Sequence, residues 1–296
     1  MNIREKLSVL FEIGRHQLTL LSREDWLADM PAETLSFTTH DGEPAGAWLV
    51  RPKGDGPFPA ILYIHAHGAR YDIGARELID GRPALLGPLG AEFARRGIAC
   101  LAVDMPAFGS RQQPGESARS KALLWRGRSL AGQMLGEQHA AFEWLTQQDW
   151  VDASRIGVFG LSMGATFAYW LAAVEPRIAC AAHLCCYADF NTLIGTGAHD
   201  LHGIYLAIPG LLNAASNGVI AGLVAPRPQF IGIGDQDPLT PPASVDIALT
   251  QTRAAYQAAS AADRLTVHRE AKSGHVETPA MRRAAFAFFE GAFAAS

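Results

Sequence analysis

Short apolar runs alternate with longer amphipathic segments along most of this chain. Runs such as residues 60–64 and 98–103 are continuously hydrophobic, which is typical of strands buried on both faces of a sheet. The pattern predicts eight strands, at residues 34–39, 45–51, 60–64, 98–103, 155–159, 178–184, 229–233 and 264–269.

The segments between these strands have helical periodicity. Helices are predicted at residues 3–27, 85–96, 117–147, 163–174, 244–259 and 278–293. Pro31 ends the first of them, and Gly127 or Gly132 interrupts the third. Alternation of strands and helices predicts an α/β fold with a mostly parallel eight-stranded sheet and helices on both faces. We expect one domain over residues 1–296, in which residues 1–31 form an N-terminal helical extension.

Residues 188–226 interrupt this alternation just before the seventh predicted strand. The segment is rich in glycine, and it also carries apolar residues such as Tyr205 and Leu211. Long connections of this kind are commonly lids or binding elements, so a lid-like insertion is expected here. A packed helical excursion without a catalytic role is the alternative.

The composition limits the classes of function. Hydrophobic residues make up 49% of the chain, enough for a large core, and the net charge of −4 gives no overall basic field for nucleic acid. No segment approaches the ~18 uninterrupted apolar residues of a membrane span, and Glu12 and Arg15 break up the N-terminal apolar run. The four cysteines suggest no disulfide framework. We therefore expect a cytoplasmic protein without a nucleic acid or membrane partner.

The segment Gly160-Leu161-Ser162-Met163-Gly164 matches the G-x-S-x-G pattern of a nucleophile elbow. A predicted strand precedes it and a predicted helix follows it, as the motif requires. Glycines at its ends suit a sharp turn in which side chains would collide with the neighbouring strand and helix. The sequence predicts that Ser162 is a nucleophile at a helix N-terminus, and an ordinary helix cap is the alternative.

A serine nucleophile in this arrangement needs an acid and then a histidine later in the chain. His268 falls within a predicted strand, whereas His275 follows that strand in a loop able to reach the nucleophile. Asp235 and Asp237 both follow the seventh predicted strand. We favour His275 as the base and Asp237 as the acid, because Pro238 holds Asp237 extended while Asp235 has the position of a turn residue.

An oxyanion hole requires two backbone donors. One is expected to be the N–H of Met163, and the other to come from the loop after the third predicted strand, where we favour His67 over Ala69. The pair His65 and His67 could instead begin a zinc site, but the Asp-His pair of a dinuclear zinc hydrolase does not follow it. No metal and no cofactor are therefore expected.

In these motifs the chain resembles the α/β-hydrolase superfamily, in the branch of dienelactone-hydrolase-like and acetyl-xylan-esterase-like enzymes. The resemblance rests on the H-x-H-G loop at 65–68, on 103–106 with 108–109, and on the elbow at 160–164, followed by Ala-Pro-Arg-Pro at 225–228, 234–238 and 274–275. It implies an α/β-hydrolase fold with a triad of Ser162, Asp237 and His275. Dienelactone hydrolases proper use cysteine where this chain has Ser162, so the resemblance favours a carboxylester hydrolase.

Residues between Met105 and Ala131 are locally basic, with five basic side chains against the single acidic residue Glu116. This segment could accept a carboxylate-bearing ester, although a solvated helix face is the more common explanation. His199 and His202, three residues apart, could hold a metal, but a surface or substrate role is favoured. The residues expected to contact substrate are Phe108, Trp125, His183, Tyr187, His202 and Tyr205.

Three functions fit these features. The first is an esterase or thioesterase that cleaves a small-molecule substrate through an acyl-enzyme intermediate. The second is a peptidase or C–C bond hydrolase with the same triad, although a peptidase of this fold would often carry a further domain. The third is a catalytically silent scaffold that binds a ligand, which would commonly have lost a triad member.

Overall fold

The computed structural model describes residues 1–26 and 32–294, and one sheet of nine strands organises them. The strands are β1 (Leu18–Trp26), β2 (Ala32–Thr39), β3 (Pro44–Val50), β4 (Phe58–Ile64), β5 (Ala99–Val103), β6 (Val151–Leu161), β7 (Cys180–Leu184), β8 (Gln229–Gly234) and β9 (Leu265–Glu270). Their spatial order is β1-β2-β3-β5-β4-β6-β7-β8-β9. The pairs β1–β2, β2–β3 and β3–β5 are antiparallel, and the other neighbours are parallel.

The helices in the described ranges fill the connections between these strands. They are α1 (Ile3–Leu10), α2 (Glu77–Asp80), α3 (Gly90–Arg95), α4 (Glu116–Leu124), α5 (Leu130–Thr146), α6 (Met163–Val174), α7 (Phe190–Thr196), α8 (Leu211–Ala214), α9 (Asn217–Gly222), α10 (Pro242–Ala258) and α11 (Pro279–Ala294). The predicted helix at 163–174 has the observed bounds. The predicted helix at 117–147 is divided into α4 and α5 at Gly127, whose φ of +72° suits glycine.

The N-terminal prediction is wrong in part. Only α1 is helical, whereas residues 18–26 form β1 and pair antiparallel with β2. Gly14, with φ of +76°, lies between the two elements, and the half-buried Leu18 and Leu20 alternate as a strand requires. The sheet therefore has nine strands rather than eight. Leu27 and Pro31, which were predicted to close the helix, lie outside the described residues.

The predicted α/β architecture, with a mostly parallel sheet and helices on both faces, is confirmed. Successive residues of β4 point to opposite sides, because Leu62 and Ile64 join one buried cluster and Ile61 and Tyr63 join the other. The first cluster is completed by α5 and α6, and the second by α3 and α11. No helix in the described residues is long and apolar enough to cross a membrane.

The insertion over residues 188–226 precedes β8. This strand is the seventh of the predicted strands, and it is the eighth in the structure because β1 was not predicted. It contains α7, α8 and α9 with two short 3-10 segments between them. Asn217 anchors it to α6, because its side chain accepts a hydrogen bond from Trp170 Nε1 at 2.8 Å and donates to Tyr169 Oη at 2.6 Å. The insertion is thus a packed helical element, and its movement as a lid stays a prediction.

The parallel part of the sheet brings four chain segments to one edge. β4 leads into the loop at 65–69, β6 into Ser162, β8 into Asp237, and β9 into the loop that carries His275. Ligands of open α/β sheets bind beyond the carboxyl ends of the strands. This edge is therefore where a site is expected.

Candidate active site

Ser162 occupies a sharp turn between β6 and α6. Its φ of +58° and ψ of −120° lie in a region that non-glycine residues rarely adopt, and its N–H donates to the carbonyl oxygen of Leu184 at 2.9 Å. A side chain on Gly160 would overlap the Gly164 carbonyl, and one on Gly164 would overlap the Ile64 carbonyl. The motif glycines are therefore required by close backbone approach, and Ser162 is not a side-chain cap of α6.

His275 lies between Ser162 and Asp237. Its Nε2 atom is 2.9 Å from Ser162 Oγ, and its Nδ1 atom is 2.6 Å from Asp237 Oδ2. An ionised carboxylate only accepts hydrogen bonds, so Nδ1–H donates to Asp237 and Nε2 is left as the acceptor for the serine hydroxyl. Asp237 is 2% exposed, and its Oδ1 atom accepts the N–H of Leu239 at 2.9 Å, which fixes the carboxylate.

The two alternative residues have other partners. Asp235 forms an ion pair with Arg269 of β9, which also pairs with the exposed Asp246. His268 lies within β9 with its Nε2 atom 2.9 Å from Glu270. The structure therefore brings together the favoured residues of the sequence analysis rather than these two.

Two backbone N–H groups are candidates for the oxyanion donors. Met163 is the first residue of α6, where an N–H has no intrahelical acceptor. In the loop at 65–69, the N–H of Ala66 donates to Glu77 at 3.1 Å and that of Ala69 donates to His67 Nδ1 at 3.0 Å. Among the described hydrogen bonds none is donated by the His67 N–H, so it is the better second candidate than Ala69.

The histidines of the loop are committed to hydrogen bonds. His65 is fully buried, its Nε2 atom accepts the Met105 N–H at 3.1 Å and its Nδ1 atom is 3.1 Å from the Ala66 carbonyl oxygen. Burial lowers the pKa of His65 to about 3, so the ring is neutral. His67 Nε2 is 3.1 Å from Glu116 Oε2. The two rings therefore have different partners and do not converge on a common ion.

Two other groups have the residue types of a metal site. His139, Glu143 and Glu175 lie together, but Arg177 forms ion pairs with both carboxylates and supplies the positive charge there. His16, His40 and Asp41 form the second group, near the N-terminal edge of the sheet. His202 Nε2 lies 2.9 Å from the Leu239 carbonyl oxygen, so this nitrogen is not available to share a metal ion with His199.

The structure places half of the expected substrate residues near the candidate site. Phe108 and Tyr205 pack against the His67 ring, with Tyr205 stacked at 4.6 Å and Phe108 edge-on at 5.1 Å. His202 links the insertion to Leu239, two residues beyond Asp237. Burial lowers the pKa of His202, so it donates to that carbonyl as a neutral ring.

The other three residues expected to contact substrate have different surroundings. His183 and Tyr187 are buried in the core, where His183 receives a hydrogen bond from Gln229 and Tyr187 Oη lies 2.6 Å from Thr252 Oγ1. Trp125 follows α4 and is 91% exposed, so it encloses nothing. Aromatic residues near strand ends had suggested a pocket, but β7 is covered on both faces and directs its residues into the core.

Three of the five basic side chains between Met105 and Ala131 form ion pairs with acidic residues elsewhere in the protein. Arg111 pairs with Glu137 and with Glu43, Arg119 shares the Glu43 carboxylate, and Arg128 pairs with Glu12. Arg111 and Arg119 are both buried, so neither a solvated face nor a pocket for a carboxylate describes them. Lys121 and Arg126 are exposed, as expected of a solvated face. The charge count of this segment did not include the acidic partners of the three paired arginines, because those residues lie outside the segment.

Two cavities flank the candidate site. One of about 570 Å³ lies beside α4 and is lined in part by Tyr71, Glu116 and Ile204. The other, of about 470 Å³, lies within the insertion and is mainly apolar, with His202 and Ile204 in its wall. Glu116 and Tyr71 were not identified from the sequence as site residues, because the bond between Tyr71 Oη and Glu116 Oε2, at 2.5 Å, joins segments 45 residues apart.

Sequence comparisons agree with this architecture. The model of a family described as X-Pro dipeptidyl-peptidase (S15 family) matches residues 41–273. The chain is 38% identical over 260 residues to YtaP of Bacillus subtilis (strain 168), a protein that bears the name of a hydrolase, with 87% of each chain covered. It is 30% identical over 233 residues to esterase FrsA of Escherichia coli (strain K12 / DH10B), covering 70% of this chain and 48%, about half, of FrsA.

Solved structures with the same fold include several esterases. The acetyl xylan esterase from Paenibacillus sp. R4 has a TM-score of 0.67 at 20% identity, covering 97% of this chain and 92% of that one. Methylesterase BT1017 has a TM-score of 0.74 at 19% identity, covering 98% of this chain and 62% of that one. Likeness at such identities is evidence for the shared fold.

Proposed function

The chain belongs to the X-Pro dipeptidyl-peptidase (S15) family, and from that premise we propose that it is a serine hydrolase that cleaves a small-molecule carboxylic ester or thioester. The family match and the fold that the chain shares with acetyl xylan esterases support the resemblance to α/β hydrolases of that branch. A serine nucleophile does not favour dienelactone hydrolysis itself, so that reaction is not part of the proposal.

One observation carries the proposal. Ser162 Oγ, His275 Nε2, His275 Nδ1 and Asp237 Oδ2 form a continuous hydrogen-bonded line, with separations of 2.9 Å and 2.6 Å at its two bonds. The line ends in a buried carboxylate that is fixed by a backbone N–H. Nucleophile, base and orienting acid in this geometry support acyl transfer to serine.

Acylation follows from this arrangement. His275 Nε2 takes the hydroxyl proton as Ser162 Oγ attacks the ester carbonyl carbon, and Asp237 stabilises the imidazolium that forms. The carbonyl oxygen becomes an oxyanion, which the N–H groups of Met163 and His67 would bind at the N-terminus of α6. Collapse of the tetrahedral intermediate breaks the bond to the alcohol oxygen, and His275 returns its proton to that leaving group.

Deacylation reverses the roles with water as the nucleophile. His275 takes a proton from water, hydroxide adds to the acyl carbon, and the second tetrahedral intermediate expels Ser162 Oγ. His275 then returns the proton to the serine oxygen, and the carboxylic acid leaves. No step requires a group other than the residues of this chain and water.

A peptidase with the same residues is the second candidate, and the description of the matching family favours it. The esterase is preferred because the relative with 30% identity is named an esterase, and because amide cleavage must also protonate a poorer leaving group. A panel of p-nitrophenyl esters of increasing acyl length, with one dicarboxylate monoester, compared with Xaa-Pro p-nitroanilides, tests the choice. Higher kcat/KM for the esters is expected, and higher kcat/KM for the anilides would instead establish a peptidase.

A further inference from the structure

The ring of His67 is held from both ends by hydrogen bonds. Its Nδ1 atom accepts the Ala69 N–H at 3.0 Å, and its Nε2 atom is 3.1 Å from Glu116 Oε2. A ring nitrogen that accepts an N–H carries no proton, so the proton is on Nε2 and is donated to Glu116. Glu116, the first residue of α4, thus selects the tautomer that can hold Ala69.

This ring bond supports an unusual backbone. Gly68 and Ala69 have φ values of +52° and +53°, and two successive residues in that region are costly when one carries a side chain. The ring of His67 holds this turn by its bond to the Ala69 N–H, and the Arg70 N–H closes the turn on the His67 carbonyl oxygen at 3.0 Å. The direction of the His67 N–H therefore depends on where its own ring is held.

Besides the bond to Glu116, three aromatic side chains restrict the movement of the His67 ring. Tyr205 stacks on one face at 4.6 Å, and Tyr71 and Phe108 pack edge-on at 5.2 Å and 5.1 Å. Glu116 is fixed in turn, because Tyr71 Oη donates to the same Oε2 atom at 2.5 Å. Burial raises the pKa of Glu116, but the bonds from His67 and Tyr71 outweigh it and hold the pKa below its usual range.

We propose that Glu116 is a positioning residue for the oxyanion hole, acting through the His67 ring on the His67 backbone N–H, the second candidate donor. The inference rests on the proposed function and adds to it a carboxylate that takes no part in proton transfer. Its role is to hold a donor in place before the oxyanion forms, which is where preorganisation contributes to rate.

A double-mutant cycle tests this role with p-nitrophenyl acetate as substrate. Glu116→Ala and His67→Ala should each lower kcat about 30-fold with KM within about two-fold, because loss or displacement of one oxyanion donor costs about 10²–10³ and partial displacement costs less. The double variant should be no slower than the single variants within about three-fold, because both changes break the same link. Additive losses, near 10³-fold in the double variant, would overturn the proposal.

Conservative substitution separates positioning from charge. Glu116→Gln keeps an oxygen that accepts from His67 and Tyr71, so kcat should stay within about three-fold of the unsubstituted protein. A loss as large as that of Glu116→Ala would mean that the carboxylate charge itself is needed, and would overturn the proposal. Glu92→Ala, which removes from α3 a carboxylate bonded to Arg96 at the end of that same helix, is the matched control and should leave kcat unchanged.

A measurement independent of turnover distinguishes this inference from the proposed function. The ¹⁵N shifts of the His67 ring should report the Nε2-protonated tautomer in the unsubstituted protein and in Glu116→Gln, and lose it in Glu116→Ala. An Nδ1-protonated ring in the unsubstituted protein would overturn the inference whatever the activity. Absence of Ser162-dependent turnover with the expected tautomer present would instead refute the proposed function, and the role in an oxyanion hole with it.

Discussion

The hydroxyl oxygen of Ser162 and the Nε2 atom of His275 lie 2.9 Å apart, although 113 residues separate them in the chain. Their meeting depends on the parallel sheet, because β6 and β9 deliver their following loops to the same edge. The buried Asp237 then fixes which ring nitrogen faces the serine. These contacts make the proposed chemistry testable residue by residue.

Ser162→Ala should abolish hydrolysis of p-nitrophenyl esters while the fold is retained. Removal of the attacking oxygen typically lowers kcat by ~10⁶ in serine hydrolases, so only background rates should remain. The measurement is the initial rate under saturating ester, with far-ultraviolet circular dichroism as the control for folding. Turnover equal to that of the unsubstituted protein would remove Ser162 from the mechanism.

Asp237→Asn should lower kcat by about 10⁴, because the amide can present a donor to His275 and so stabilise the wrong tautomer. Asp235→Asn is the matched control, since its carboxylate pairs with Arg269 and should change kcat by no more than about three-fold. Steady-state rates of the two variants decide the assignment. The opposite ranking would make Asp235 the acid.

Chelators should leave esterase activity unchanged. The nitrogens of His65 are occupied by hydrogen bonds to backbone, and those of His67 by Ala69 and Glu116, so neither ring has a free ligand atom. Rates are measured after incubation with 1,10-phenanthroline and with EDTA. A loss that zinc restores would show that a metal takes part in the reaction.

The stability of the protein should fall as the pH is lowered below about 6.5. Burial lowers the pKa of His183 to about 3, so between pH 6.5 and pH 3 the unfolded chain binds a proton that the folded protein excludes. The stabilisation is therefore complete above the unfolded pKa and is lost as the pH falls towards 3, at up to about 1.4 kcal/mol per pH unit.

The variant His183→Gln tests that assignment, because glutamine does not titrate and still offers an acceptor to Gln229. The free energy of unfolding, from guanidinium denaturation at pH 7.5 and pH 5, should decrease less in the variant than in the unsubstituted protein. Equal decreases in the two proteins would mean that His183 does not contribute to the pH dependence.

Features determined by neighbouring residues were predictable from the sequence. The buried strands, α6 and the elbow at Ser162 follow from local hydrophobicity and from glycines that the backbone requires. β1 was predicted as helix because its residues suit both structures, and its antiparallel pairing with β2 decides the outcome.

Contacts between distant segments could not be read from the chain in the same way. Glu116 contacts His67, which is 49 residues away in the chain, and Arg111 contacts Glu43, which is 68 residues away. No local sequence pattern indicates either pair. His183 appeared at the end of a strand as a candidate for substrate contact, but burial on both faces of β7 makes it a core residue. Charge and aromaticity along a sequence thus indicate chemistry less reliably than spacing and glycine positions.

The central claim is that His275 activates Ser162 for attack on an acyl carbon, and covalent labelling tests it most directly. Incubation with an alkyl fluorophosphonate, followed by peptide mass spectrometry, should find one adduct, on Ser162, and labelling should slow by at least about 10³-fold in His275→Ala. Unmodified Ser162 after prolonged incubation, or equal labelling rates with and without His275, would contradict the account.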